Sequence, residues 1–188
     1  MLTLYQFATS PFCAKVRKIL DYKGLAYEIA EVDYLERKEL LIASGQLMVP
    51  ALTLDSGVTI VDSDAIAADL EDQFPEPTIF PPGWRGVHLA LARRMVRDRG
   101  NGAGFCNQMI RDHQANLARA HQILAPLEDT YGDRAFLFGR IGYADFALYG
   151  QLRSLVANGK LALPDAFEGL HAFYGRMDRI SAKLDPNA

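Results

Sequence analysis

Four prolines fall close together at Pro75, Pro77, Pro81 and Pro82, with Gly83 directly after them. A regular helix or strand does not run through such a stretch. Each proline fixes its own φ and removes the N–H that a helix or sheet ladder needs. The segment therefore divides the chain, and it reads as a semi-rigid linker between two units of different character. We expect residues 1–76 to form the first unit, 77–83 the linker and 84–188 the second.

Ahead of the break, short apolar runs alternate with helical patterns. Leu2–Phe7 and Tyr27–Val32 read as strands. Pro11 to about Lys23 reads as a helix, with Val16, Ile19 and Leu20 at core spacing and Gly24 as its stop. Leu35–Ala43 is a shorter helical pattern. Ala51–Leu54 and Val58–Val61 flank Asp55-Ser56-Gly57, a hairpin turn. Ser63–Phe74 carries Ile66, Leu70 and Phe74 on one helical stripe. The order β-α-β-α-β-β-α requires a parallel pair joined by a crossover helix and an antiparallel hairpin. It is a small mixed sheet covered by helices.

Behind the break the pattern is helical throughout. Trp84 to about Arg99 is one helix and Phe105–Tyr131 a longer one. In the latter, Ile110, Leu117, Leu124 and Tyr131 recur every seven residues, as on a bundle face. Pro126 predicts a kink or interruption near its end. Tyr143–Val156 is apolar on most faces, which places it at the bundle centre. Phe167, Leu170, Tyr174 and Met177 mark a last amphipathic helix, and residues 182–188 read as a frayed tail.

Charge follows the same division. Residues 1–80 carry 6 Lys and Arg against 13 Asp and Glu, and residues 81–188 carry 14 against 10. Neither part is strongly basic with interleaved aromatics, so nucleic acid is not an expected partner. No apolar run approaches the roughly 20 residues of a membrane span, and no leader pattern is evident. Two cysteines, Cys13 and Cys106, do not make a disulfide framework. We expect a soluble, cytoplasmic protein. The four histidines (His88, His113, His121, His171) lack metal-ligand spacing, and no metal is expected.

The chemistry concentrates at Ser10-Pro11-Phe12-Cys13, where a strand gives way to a helix. Pro11 suits the first helical position, whose N–H has no intrahelical partner. Ser10 is then the N-cap, and the positive end of the helix favours an anion, a thiolate included. A cysteine at position 10 would complete a C-x-x-C redox motif; serine makes something else.

Four ordered motifs together resemble the glutathione S-transferase superfamily across nearly the whole chain. They are Ser10-Pro11-Phe12-Cys13-Ala14-Lys15-Val16-Arg17, Met48-Val49-Pro50-Ala51-Leu52, Val61-Asp62-Ser63-Asp64-Ala65-Ile66 and Tyr143-Ala144-Asp145-Phe146. The resemblance implies a thioredoxin-like N-terminal domain, an all-α C-terminal bundle, glutathione as co-substrate and commonly a two-fold homodimer. It implies that Ser10 donates a hydrogen bond to the glutathione sulfur, which favours the thiolate. It implies a cis Val49-Pro50 bond, with the Val49 backbone pairing the cysteinyl backbone of glutathione. Ser63, read as the N-cap of the third helix, stands where the family binds the γ-glutamyl carboxylate. Asp62 stands where Glu or Gln usually meets the γ-glutamyl ammonium. Lys38 and Gln46 lie where polar groups near the glycine end are frequent. Phe12, Met95, Phe105 and Met109 are expected walls of a site for an apolar electrophile.

Each of these residues also has a plainer reading. Ser10 and the Asp62-Ser63 pair serve as caps without a ligand, Pro50 as a trans strand start and Lys38 as a solvated lysine. Tyr5 alternates with Phe7 and reads as packing, and Tyr143 is a further hydroxyl donor. Cys13, on the helix face, reads as inert packing. Asp145 lacks a Ser or Thr three residues earlier, so the reciprocal capping box cannot form around Gly142. Its role is folding chemistry, with Ile141 and Phe146 as a staple. The basic run Arg93, Arg94, Arg97, Arg99 reads as a solvated face or a complement to an acidic neighbouring subunit. Three functions compete: a glutathione transferase acting on a hydrophobic electrophile, a glutathione-binding or protein-interaction module without catalysis, and a thiol-disulfide oxidoreductase using Cys13.

Overall fold

The computed structural model describes residues 1–98, 113–157 and 163–180, with backbone alone at 95–98 and 113–121. The expectations placed on Arg99, Phe105, Cys106, Met109, Ile110 and residues 182–188 lie outside the described residues. So do the side chains of Met95, Arg97, His113, Leu117 and His121.

The N-terminal half contains β1 (Leu2–Gln6), α1 (Pro11–Lys23), β2 (Tyr27–Glu31), α2 (Lys38–Ser44), β3 (Ala51–Thr53), β4 (Thr59–Val61) and α3 (Ser63–Gln73). The strands form one mixed sheet in the order β2-β1-β3-β4. β1 and β2 are parallel, joined across α1, and β1–β3 and β3–β4 are antiparallel. This is the mixed sheet expected from the element order, in the thioredoxin-like arrangement that the resemblance implies. At Gly57 the chain adopts φ +83° to close the β3–β4 hairpin, a backbone region that glycine enters without steric cost.

The helical half contains α4 (Arg85–Asp98), α5 (His113–Asp133), α6 (Tyr143–Ala157) and α7 (Glu168–Asp178). On the seven-residue face of α5, Leu124 and Tyr131 are buried. Of the kink or interruption expected at Pro126, the interruption does not occur: α5 continues to Asp133. The Pro126 carbonyl accepts the Thr130 hydroxyl at 3.0 Å. Every residue of α6 from Tyr143 to Gly150 is buried, as its apolar faces require.

One core joins the two halves. Leu4, Val16, Ile19, Leu20, Ile66 and Leu70 pack in a continuous cluster with Phe146, Leu152, Leu170 and Phe173. α6 lies directly on α1, and Gly150 makes this possible: a Cβ there would come within 2.3 Å of the Pro11 carbonyl oxygen. The first turn of α1 is thus seated on the helical half.

A second anchor fastens the segment between α3 and α4. The Lys23 side chain is fully buried. Its ammonium donates to Glu71 Oε2 at 2.7 Å and to the carbonyls of Phe74 and Pro77 at 2.6 and 3.1 Å. Glu71 also accepts the N–H groups of Ile79 and Phe80 and the Thr78 hydroxyl. Burial raises the Glu71 pKa, but Lys23, Thr78 and Ile79 outweigh it and leave the carboxyl below the usual range. Glu76–Pro77 in this segment is cis.

Candidate functional site

Strand register brings the singled-out residues to one end of the sheet. Tyr5 pairs with Ala51, and Ala51 with Val61. Beyond that row lie the Phe7–Ser10 loop, Val49-Pro50 and Asp62-Ser63, with the N-termini of α1 and α3.

Ser10 caps α1. Its hydroxyl oxygen accepts the Cys13 N–H at 3.3 Å and its carbonyl accepts the Ala14 N–H at 3.0 Å. One lone pair of the hydroxyl thus serves the helix, while its O–H lies within hydrogen-bonding reach of the Cys13 sulfur. The loop before it is held by Glu31 at the end of β2, which accepts the Ala8 N–H at 2.6 Å and the Gln6 amide at 2.9 Å. Cys13 is wholly buried. Burial pushes its thiol pKa up, and the Ser10 and Phe7 hydrogen bonds offset only part of that.

Val49–Pro50 is cis, the isomer implied by the resemblance. Among the described residues, neither the N–H nor the C=O of Val49 makes a hydrogen bond. The loop that presents it is built from within. Gln46 accepts the Met48 N–H and donates to the Met48 carbonyl, and Arg37 donates to the Leu47 carbonyl at 2.8 Å. Gln46 therefore serves the loop backbone. Arg37 has a left-handed backbone (φ 40°), and its guanidinium lies 5.1 and 4.9 Å from the ring centroids of Phe7 and Tyr34. Lys38 opens α2, exposed and paired with Glu36 at 3.3 Å, and among the described residues no hydrogen bond or ion pair joins it to the other candidate site residues. Tyr5 packs with Val32, Leu40 and Ala51.

The third helix corrects one expectation. Asp62, not Ser63, is the N-cap: its carboxylate accepts the Asp64 and Ala65 N–H groups at 2.8 and 3.2 Å. Asp62 has φ +75°, outside helical geometry, so its short side chain turns back over the first turn. Ser63 becomes the first helical residue. It is buried to 4% exposure, and among the described residues its N–H and hydroxyl have no partner.

Beside this turn lies a cluster that sequence reasoning missed. Lys15, 3% exposed, donates to Asp64 Oδ1 at 2.9 Å and to the Tyr143 hydroxyl. Tyr143 donates in turn to Asp64, and Arg93 donates to Asp64 Oδ2 at 3.2 Å. Burial favours protonation of Asp64, but Lys15, Tyr143 and Arg93 outweigh it and hold the carboxyl below its usual pKa. Burial lowers the Lys15 pKa against the pull of Asp64. A signal was present in the sequence. Phe12, Lys15, Val16 and Ile19 share one helical stripe, and Lys23 sits seven residues after Val16. Lysines on an apolar stripe require buried partners. Phe12 is half-buried, with the Lys15 ammonium 5.9 Å from its ring centroid.

Asp145 serves the fold, in a different way from that expected. Half of a capping box does form: Oδ2 accepts the Gly142 N–H at 2.9 Å. Oδ1 accepts the Leu137 N–H at 3.0 Å and the Tyr131 hydroxyl at 2.8 Å. His88 Nδ1 accepts the Ala144 N–H at 3.1 Å, a cap supplied from α4 that no local pattern announces.

Comparison with known proteins bears on the family and the fold. The family models for the N-terminal and C-terminal domains of glutathione S-transferase match residues 4–78 and 96–176. Prostaglandin E synthase 2 of Danio rerio is 44% identical over 70 residues, but that match spans 37% of this chain and only 18% of that protein. Probable glutathione S-transferase GSTU1 of Oryza sativa subsp. japonica is 31% identical over 167 residues, covering 78% of this chain and 71% of that one. Among solved structures, a glutathione S-transferase from Rhodospirillum rubrum F11 superposes with a TM-score of 0.78 at 23% identity, over 99% of this chain and 95% of that one. Rice GST1 in complex with glutathione gives 0.70 at 26% identity, over 96% and 89%. With both domain models matched in order and a relative of this coverage, the chain belongs to the glutathione S-transferase superfamily.

Proposed function

We propose that the protein is a glutathione transferase that joins the glutathione thiolate to an apolar electrophile. The observation that carries the reading is the convergence at one sheet end of the Ser10 hydroxyl with two backbone and side-chain sets that have no partner among the described residues, the Val49 N–H and C=O and the Ser63 N–H and hydroxyl. In this reading Ser10 donates to the glutathione sulfur. A hydrogen bond to the charged form lowers the thiol pKa and keeps the nucleophile present at neutral pH. Val49 pairs the cysteinyl backbone, and Ser63 at the positive end of α3 receives the γ-glutamyl carboxylate. Asp62 faces the γ-glutamyl ammonium, Lys38 attends the glycine end, and Phe12 walls the electrophile side. Catalysis is then proximity plus thiolate stabilisation. A homodimer and a cytoplasmic location belong to the same reading, and analytical ultracentrifugation checks the former.

Calorimetric titration with reduced glutathione, followed alongside by thiolate absorbance, tests it. We expect saturable binding with a thiolate signal that Ser10→Ala abolishes. No binding at millimolar glutathione overturns the reading. One observation favours a non-catalytic glutathione-binding module instead: Asp62 already spends an oxygen on two cap bonds. Binding without turnover across a broad electrophile panel would select that alternative. The thiol-disulfide reading needs an exposed, low-pKa thiol, and Cys13 has the opposite surroundings.

A further inference from the structure

The first turn of α3 poses an electrostatic problem for the ligand proposed above. Two carboxylates, Asp62 and Asp64, flank the uncommitted Ser63 N–H. Asp62 already occupies the two N–H groups that follow it. An incoming carboxylate therefore meets two like charges at the end of the helix whose dipole should attract it.

The structure answers with two cations from different elements. Lys15 of α1 takes Asp64 Oδ1, together with Tyr143 of α6. Arg93 of α4 takes Oδ2. Lys15 and Asp64 are obligatory partners, since the Lys15 side chain is 4% exposed and an unpaired ammonium there would be strongly disfavoured. Arg93 is different. Its side chain is 70% exposed, and the fold does not need it to satisfy a buried group. An exposed ion pair contributes little to stability. What Arg93 adds is positive charge at the rim of the site, delivered by the helical half to the first turn of the other half.

Resting on the glutathione reading, we propose that Arg93 is a positioning residue for the γ-glutamyl carboxylate. It neutralises Asp64 from the helical half so that an amino-acid carboxylate can bind at Ser63. Docking of the helical half thereby sets the affinity of a subsite lying wholly in the sheet-containing half.

The test is calorimetry at low ionic strength on wild type, Arg93→Met, Arg93→Lys and Arg93→Glu. Each protein is titrated with reduced glutathione and with the analogue whose γ-glutamyl α-carboxylate is an amide. We expect Arg93→Met to weaken glutathione binding about fivefold to tenfold. Arg93→Lys should restore most of it, and Arg93→Glu should lose more than Arg93→Met. The amide analogue should bind all four proteins alike, and the Arg93→Met deficit should shrink in high salt. Equal glutathione affinity in wild type and Arg93→Met overturns the proposal and leaves the glutathione reading standing. An equal loss for both ligands also overturns it, because Arg93 would then act through the fold. Failure of wild type to bind glutathione overturns the glutathione reading itself.

Discussion

The N-termini of α6 and α7 contrast with those of α1 and α3. At α6, His88 and Asp145 accept N–H groups in the buried core, and both oxygens of Asp145 are occupied. At α7 the Glu128 carboxylate from α5 accepts the Gly169 and Leu170 N–H groups at 2.7 and 2.8 Å. These ends are closed by protein. At α1 and α3 the caps are local, single residues: beyond its cap bond the Ser10 hydroxyl meets only the Cys13 sulfur, and among the described residues the Ser63 N–H stays unpaired. Four orphan donors begin every helix. Where the protein accounts for them in a dry interior the end is structural, and where it leaves some unpaired the end is available to a ligand.

The contrast breaks most visibly at Asp145. Replacing it with alanine strands the Tyr131 hydroxyl and the Leu137 and Gly142 N–H groups in the interior. Orphaned buried donors cost about 1–3 kcal/mol each. We expect Asp145→Ala to lose about 3–5 kcal/mol in urea unfolding. A loss under about 1 kcal/mol would mean that this end is not closed in the sense argued.

The Lys23–Glu71 anchor is a second closed network, and pH reads it. Glu71 has a depressed folded pKa. Its contribution is therefore complete above the unfolded carboxylate pKa and lost as pH falls through the folded value. We expect Glu71→Gln to cost about 2–3 kcal/mol at pH 7, since it leaves the buried Lys23 charge without its counter-ion. That difference from wild type should shrink steadily below about pH 4. Taking the difference between the two proteins removes Asp145, whose pKa burial raises and whose titration acts with the opposite sign. A gap unchanged from pH 7 to pH 3 would show that Glu71 acts as a hydrogen-bond acceptor and not as a charge.

The open end of α1 should respond in the reverse proportion. Ser10→Ala removes one cap bond, worth about 1 kcal/mol of stability. The same change removes the proposed donor to a thiolate, a charge-assisted bond of about 1.5–3 kcal/mol, or roughly tenfold to a hundredfold in thiolate formation. Chemical unfolding and thiolate absorbance on one preparation separate the two. A stability loss of about 3 kcal/mol with an unchanged thiolate signal would assign Ser10 to the fold alone.

What the sequence disclosed follows the range of the interactions. Short-range rules located α1 from Ser10 and Pro11 to Gly24, the β3–β4 hairpin from its Asp55-Ser56-Gly57 turn, and α6 as the bundle centre. Long-range rules were silent. His88 capping α6, Glu128 capping α7 and Glu31 holding the Ala8 loop come from residues 56, 41 and 23 positions away, and no local pattern encodes such pairings. At Pro126 the local rule allowed either a kink or a break, and it could not say that α5 would run on to Asp133. Lys15 and Lys23 were legible as anomalies on an apolar stripe, yet their partners Asp64 and Glu71 were not. Candidate site residues were nominated by resemblance where the family pattern is local, as at Ser10, Val49 and Ser63. Contacts that cross between halves were not legible: Arg93 was read only as part of a basic run, and its pairing with Asp64 was missed.

The finest test distinguishes two adjacent residues of α3. Asp62 carries both cap bonds, and Ser63 carries none. Asp62→Ala should therefore cost about 1 kcal/mol. Ser63→Ala, a small change at a site where the hydroxyl pairs with no described residue, should stay within about 0.5 kcal/mol of wild type. If Ser63 is the carboxylate receptor, its effect appears in glutathione affinity, which should fall severalfold while stability holds. The opposite pattern, with Ser63→Ala destabilising and affinity intact, would make the serine the cap and place α3 with α6 and α7 among the closed ends. The boundary between folding chemistry and ligand chemistry would then run through α1 alone.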